Sequence, residues 1–142
     1  MKLPDPSPEA PAFWDDERKA ELVRNAMNGA VGQVLLSETD DVRVWSIRLA
    51  AGERVGFHRH VLNYFWVATR AGTSRSHYAD GEVRDHQYGA GEVRHFEFGE
   101  GEFMLHDLQN IGEAEIEFVT VEFKHSANRP LQINQKPISG NP

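Results

Sequence analysis

The stretch Gly52-Glu-Arg-Val-Gly-Phe-His58-Arg-His60 decides both the fold and the chemistry of this 142-residue chain. Side chains alternate between the two faces of a β-strand, so His58 and His60 share one face if the stretch is a strand. A third histidine, His106, lies far downstream in Phe-Met-Leu-His106-Asp-Leu-Gln-Asn110. Imidazoles from two strands can converge on one metal ion. The sequence therefore predicts a three-histidine metal site.

The chain on both sides of this stretch predicts short strands and turns. Runs rich in β-branched and aromatic residues occupy positions 42–49, 64–69 and 116–123. Asp80-Gly81 is typical of a tight hairpin turn, because Gly tolerates positive φ angles. His77 and His86 flank this turn, and we expect them to face each other at the surface. Short strands at regular spacing predict an antiparallel sandwich or barrel.

A single short helix is predicted near the N-terminus, between about residues 14 and 28. Asp15-Asp16-Glu17 precede Arg18-Lys19, and acids followed by bases suit the helix dipole. The predicted organisation is an N-terminal arm with this helix at 1–30, a barrel at 31–127 and an extended C-terminal tail at 128–142.

Both predicted termini are rich in proline, which pairs poorly within a sheet. An arm from one subunit could therefore cover the sheet edge of a second copy, which predicts a homodimer. The alternative is a monomer with two disordered tails.

Composition and charge exclude several classes of partner. The chain has 15 Lys and Arg against 22 Asp and Glu, a net charge of −7, and no stretch resembles a basic nucleic-acid groove. It shows no long apolar run and no signal-peptide pattern, so we expect no membrane partner and a cytoplasmic location. It contains no cysteine, so it has no disulfide, no thiolate ligand for a metal and no cysteine nucleophile.

The spacing G-x5-H-x-H, closed by Gly72, and the later H-x3-N of His106 and Asn110 resemble the two motifs of the cupin superfamily (RmlC-like proteins). The segment Arg-His-Val-Leu-Asn-Tyr64-Phe-Trp-Val is similar to small single-domain bacterial cupins linked to β-alanine degradation. The resemblance runs from about residue 42 to residue 124. It implies an all-β double-stranded β-helix, a jelly-roll barrel, with His58, His60 and His106 as metal ligands.

The sequence departs from the cupin pattern in both motifs. The stretch leading to His106 lacks the usual proline and is a few residues longer, and a shifted alignment would make His95 the ligand instead. Cupins commonly place a glutamate three or four residues after the second histidine. Here those positions hold Tyr64 and Phe65. We favour Tyr64 as the residue nearest the metal, with Trp66 on the same inner face.

The missing carboxylate has a chemical consequence. Three neutral imidazoles leave a divalent ion its full charge, which favours an anionic, chelating ligand. Nitrogen ligands favour Fe, Ni, Zn or Cu over Mg or Ca. Tyr64 could hold a bound water or a substrate oxygen as a catalytic residue, or it could be a half-buried aromatic side chain of the core.

Candidates for substrate contact are Trp66, Arg48 and Met104. Arg94 is a further candidate for binding a carboxylate, although a structural salt bridge is the competing role for each arginine. The many aromatic residues near the site predict a small, dry cavity.

Two functions follow from the sequence. The first is a metal-dependent enzyme, of dioxygenase or other type, acting on a small organic acid or diketone. The second is a non-catalytic cupin that binds a small molecule or serves in assembly, having lost the glutamate ligand.

Overall fold

The structure is a computed structural model that describes residues 9–138. Within that range the chain forms one helix and nine strands. The helix is α1 (Asp16–Arg24), and the strands are β1 (Val34–Glu38), β2 (Val42–Leu49), β3 (Arg54–His60), β4 (Tyr64–Ala68), β5 (Gly72–His77), β6 (Val83–Tyr88), β7 (Val93–Phe96), β8 (Met104–Asn110) and β9 (Ile116–Phe123). The prediction of an all-β fold with one short N-terminal helix is confirmed.

Helix α1 is shorter than the predicted segment 14–28. It begins where the Asp15 side chain accepts a 2.8 Å hydrogen bond from the Arg18 backbone N–H, which caps the first turn. It ends at Arg24, and the chain then enters turns that lead toward β1. No helix within residues 9–138 has the length and apolar character that crossing a membrane requires.

The strands form two antiparallel sheets that enclose the interior. One sheet has the order β1-β2-β9-β4-β7, and the other has the order β3-β8-β5-β6. Because side chains alternate between the two faces of a strand, every second residue points into the space between the sheets. In β2, for example, Trp45, Ile47 and Leu49 are buried, and Ile47 and Leu49 pack with Phe118 of β9.

Gly52 and Asn110, from the two halves of the motif, meet in the fold. Gly52 has a φ of +83°, which favours glycine, and its N–H donates to the Asn110 carbonyl at 3.0 Å. The fully buried Asn110 amide donates to the carbonyls of Leu49 at 3.0 Å and Ala114 at 2.8 Å. Asn110 therefore joins the end of β2 to the turn after β8, and its role is structural.

Helix α1 covers the outer face of β3. Leu22 packs with Trp14 and Phe57 in a buried cluster. The Glu21 carboxylate accepts hydrogen bonds from the Arg54 guanidinium at 2.7 and 2.8 Å and from the Phe57 N–H at 3.0 Å. The helix thus supports β3 from the side opposite the predicted metal site.

Parts of both termini contact their own barrel. Trp14 is buried, and the Ile138 N–H donates to the Leu35 carbonyl at 3.0 Å. The argument that the termini cannot pair within their own subunit therefore does not hold for these residues. Residues 1–8 and 139–142, on which part of that argument rests, lie outside the described range. The homodimer and the predicted boundaries at 30 and 127 stay predictions.

Candidate metal centre and cavity

The three predicted ligands come together on the inner face of two neighbouring strands. His58 of β3 lies directly opposite His106 of β8 in the antiparallel register, and His60 lies opposite Met104. An irregularity between Val55 and His58 shifts the register of β3 just before the first histidine. Ligand nitrogens of the three imidazoles lie within 4.8 Å of one another.

This arrangement fits a metal ion. Three atoms within 4.8 Å of one another have a common centre no more than about 2.8 Å from any of them, so side-chain shifts under about 1 Å reach the 2.0–2.1 Å of a metal–imidazole bond. His58 Nδ1 donates to the Gly56 carbonyl at 2.8 Å, which leaves its Nε2 lone pair available. Among the described residues, Nδ1 of His60 and of His106 is buried without a hydrogen-bond partner.

The surroundings keep all three imidazoles neutral, which metal binding requires. Burial lowers the pKa of His58, against opposing effects of the Gly56 carbonyl and Asp107. Burial also lowers the pKa of His60 and of His106 well below the usual value, and neighbouring histidines add to the effect. These groups therefore have lone pairs to offer at neutral pH.

Tyr64 faces inward beside the histidines, while Phe65 lies on the outer face, where it packs on His95. The Tyr64 ring stacks on His60 with ring centroids 4.2 Å apart and on Phe96 with centroids 4.7 Å apart. Burial raises the pKa of Tyr64 well above its ordinary value. The hydroxyl therefore stays protonated at neutral pH, and the ring is fixed between two other rings.

A cavity of about 260 Å³ extends from the histidines between the two sheets. It is smaller than the 300–1,000 Å³ typical of pockets for drug-sized ligands, which confirms the predicted small size. It is not dry, because Arg84 and Arg94 line it and their side chains are exposed. The cavity thus opens to solvent near β6 and β7.

The predicted substrate contacts divide into two groups. Trp66 and Met104 line the cavity. Arg48 does not, because it lies on the outer face of β2, where its guanidinium binds Glu117 at 2.6 and 2.9 Å. The competing role considered for Arg48, a surface salt bridge, matches its position.

His77, His86 and His95 do not lie where the sequence predicts a surface pair or an alternative ligand. His77 is buried, and its Nδ1 lies 3.1 Å from Asp107, while His86 lines the cavity. They do not face each other, because His77 pairs with Val83 in the hairpin register. His95 is exposed on β7 and packs on Phe65, so it is not part of the histidine cluster.

Several cavity residues were missed at the level of sequence. They belong to the β5–β6 hairpin and the turn between its strands, and they are Ser74, Ser76, Tyr78, Arg84, His86 and Tyr88. Their numbers alternate by two, which is the signal that could have found them once the hairpin was predicted. Tyr78 lies against the metal site, with its ring centroid 5.3 Å from that of His106.

The architecture is similar to that of solved cupin structures. A cupin domain from Bordetella pertussis Tohama I aligns with a TM-score of 0.57 and 24% identity over 64% of this chain and 90% of that one. A double-stranded β-helix protein from Klebsiella pneumoniae aligns with a TM-score of 0.52 and 23% identity over 66% and 76% of the two chains. An RmlC-like cupin from Methanocaldococcus jannaschii aligns with a TM-score of 0.51 and 23% identity over 63% and 76%.

No family model matches the sequence, and no curated protein matches it. Identities of 24% and below establish the fold alone. The likeness to cupins linked to β-alanine degradation therefore stays a prediction. The order of the strands, the two sheets and the three structural neighbours agree: the chain has the cupin fold, a double-stranded β-helix.

Proposed function

We propose that this protein is a metal-dependent enzyme acting on a small organic acid or a diketone, with oxidation by dioxygen as the first reaction to test. The observation that carries the proposal is the convergence of three neutral imidazoles at the end of a small cavity that opens to solvent. A bound divalent ion would supply Lewis acidity there, undiminished by a carboxylate ligand.

The role of the protein in this proposal is to bind and orient. Tyr64 and Tyr78 are the hydroxyl-bearing side chains whose rings lie against the histidine cluster. Burial raises the pKa of both, so each hydroxyl can donate a hydrogen bond to a substrate oxygen at neutral pH. Trp66, Phe96 and Phe118 supply apolar surface that limits the space for water and for larger molecules.

The first experiment measures metal content after purification. We expect about one transition-metal ion per chain in the wild-type protein, and loss of that ion in a His60→Ala variant, since one of three ligands is removed. His95→Ala is the matched control, because His95 is an exposed histidine outside the cluster. Equal metal content in the two variants would contradict the proposed site.

A second experiment tests catalysis. Iron-loaded protein is screened against small organic acids and diketones, with oxygen uptake as the readout. Tyr64→Phe should keep the metal, because the imidazoles are untouched, and should slow turnover by roughly 10²-fold if the hydroxyl assists proton transfer. Unchanged turnover in Tyr64→Phe would remove Tyr64 from the mechanism and leave Tyr78 as the hydroxyl to test.

A second candidate function is a non-catalytic small-molecule-binding or assembly protein. The observation that favours it is Tyr64, which fills the position where cupins commonly carry a glutamate ligand and is locked between two rings. Metal content separates the candidates. A wild-type protein that takes up no transition metal supports the binding function and overturns the enzymatic one.

A further inference from the structure

The cavity wall holds more basic than acidic residues, although the chain as a whole is acidic. The net charge is −7, yet the wall includes two arginines, Arg84 and Arg94, against one acidic residue, Asp85. The Asp85 carboxylate is bound by the Arg75 guanidinium through hydrogen bonds of 2.8 and 3.0 Å. The mouth of the cavity thus gathers cationic side chains in an acidic protein.

Arg94 differs from Arg84 and His86 in lacking, among residues 9–138, a carboxylate at hydrogen-bond distance, although Glu92 interacts with it electrostatically. Arg84 binds Glu82 at 2.7 Å, and His86 binds Glu92 at 2.7 Å. Across residues 9–138, Arg94 makes no ion pair or hydrogen bond through its side chain. A guanidinium has five N–H donors in a planar fork that matches a carboxylate. Arg94 therefore presents unused donors at the cavity wall.

The position of Arg94 connects it to the metal site. It lies on β7 opposite Trp66, two residues from Phe96, which stacks on Tyr64. Arg84, Arg94 and Tyr78 line the same cavity. Burial raises the pKa of Tyr78, and the positive charges of both arginines oppose that rise.

The distance from this mouth to the histidines suits a compact ligand. The Arg84 guanidinium carbon lies 5.1 Å from the Tyr78 ring centroid, which lies 5.3 Å from that of His106. The Arg84 guanidinium is thus within about 10 Å of the His106 ring. A metal ion at the histidines and a carboxylate at the arginine would each occupy part of this distance. A ligand backbone of about two to four carbon atoms, at roughly 1.5 Å per bond, would bridge the rest.

We propose that Arg94, assisted by Arg84, forms a carboxylate-binding subsite at the mouth of the cavity. The substrate would be a small dicarboxylate or keto acid whose carboxylate binds this subsite while its second oxygen-bearing group reaches the histidine cluster. The inference rests on the proposed function for the metal end and narrows its substrate class to acids, excluding uncharged diketones.

The test uses succinate as the probe and its neutral diamide, succinamide, as the matched ligand. Titration calorimetry is performed on metal-free protein and on zinc-loaded protein. Arg94→Gln should weaken succinate binding at least about tenfold in both forms, because a charged hydrogen-bond donor is lost. Arg94→Lys should lose less, since it keeps the charge without the fork. Arg48→Gln, an exposed arginine outside the cavity, should match the wild type within about twofold.

The outcomes separate the two proposals. Binding of succinate but not succinamide, lost in Arg94→Gln and kept in Arg48→Gln, supports the subsite, provided circular dichroism shows each variant folded. Equal succinate affinity in Arg94→Gln and Arg48→Gln overturns it, as does no succinate binding to the metal-free wild type. If zinc does not bind while arginine-dependent succinate binding persists, the proposed enzymatic function fails and the subsite stands.

Discussion

The two faces of the β3–β8 strand pair hold buried ionisable groups in very different surroundings. On the outer face, the fully buried Asp107 carboxylate accepts hydrogen bonds from the His77 backbone at 2.6 Å and from Arg54 at 2.9 and 3.2 Å. On the inner face, His60 and His106 each leave a buried ring nitrogen without a partner among the described residues. The same two strands carry both arrangements.

This difference separates groups that stabilise the fold from groups that serve a ligand. A satisfied buried network adds rigidity, whereas an unsatisfied buried nitrogen costs free energy of folding. Evolved proteins break the rule of satisfied polar groups mainly at functional sites. The outer network therefore fixes the strands, whereas the inner histidines keep unpaired nitrogens, as the proposed ligand-binding function requires.

The largest effect is expected from removing the charge at the centre of the outer network. Asp107→Asn removes the negative charge beside Arg54. It also replaces one carboxylate oxygen with an amide nitrogen, which donates hydrogen bonds and can therefore point its N–H groups at the Arg54 guanidinium. Breaking a buried charged pair is costly, so we expect unfolding free energy to fall by about 3 kcal/mol, measured by urea denaturation. Asp85→Asn is the control, because Asp85 pairs with Arg75 at the exposed surface. A similar loss in both variants would contradict the distinction between the faces.

A carboxyl group on the inner face of the other sheet sharpens the comparison. Burial raises the pKa of Glu122 to about 7 from 4.5, although the Trp45 indole N–H donates to it at 2.8 Å. The unfolded chain releases this proton near pH 4.5 and the folded one near pH 7, so wild-type stability falls as pH rises through that interval.

Glu122→Gln removes this titration and keeps an oxygen for Trp45. The variant should gain roughly 2–3 kcal/mol relative to the wild type between pH 4 and pH 8, measured by denaturation at each pH. A stability difference that does not change with pH would show that Glu122 titrates normally.

The smallest effect compares His60, on the inner face of β3, with His77 of β5, which contacts Asp107 in the outer network. In metal-free protein, His60→Leu should raise the unfolding free energy by about 1 kcal/mol, because an unsatisfied buried nitrogen is replaced by carbon. His77→Leu should instead lower it, because Asp107 loses the imidazole partner at 3.1 Å. Both variants are followed by thermal melting in the presence of a chelator. Equal losses in both would remove the contrast between the faces.

Local patterns predicted most of the fold and the ligands of the candidate metal site. Period-two alternation alone placed His58 and His60 on the same face of one strand. The same alternation put Arg48 opposite Trp45, so its exposed position was already implied by the apolar face of β2. Arg48 was predicted to contact substrate because of its charge. It lies outside the cavity because its side chain is on the outer face of β2.

Long-range contacts explain what sequence reasoning missed. His77 is buried because Asp107, on a strand far along the chain, reaches it, and no local signal reports that pairing. Arg84 and Arg94 meet at one cavity mouth because β6 and β7 are edge strands of different sheets. Only the three-dimensional arrangement brings them near Tyr78.

The pairing of strands distant in sequence also affects how this protein folds during its synthesis. His58 and His106 come from β3 and β8, and β2 pairs along its whole length with β9, the last strand. Although β1 and β2 can pair early, the ribosome must release most of the barrel before β2 can pair with β9 and β3 can pair with β8. Folds dominated by such distant pairings reach their final state in about milliseconds to seconds. If the histidines bind a metal ion as proposed, a nascent chain can complete the site only after β3 and β8 have both been synthesised and have paired.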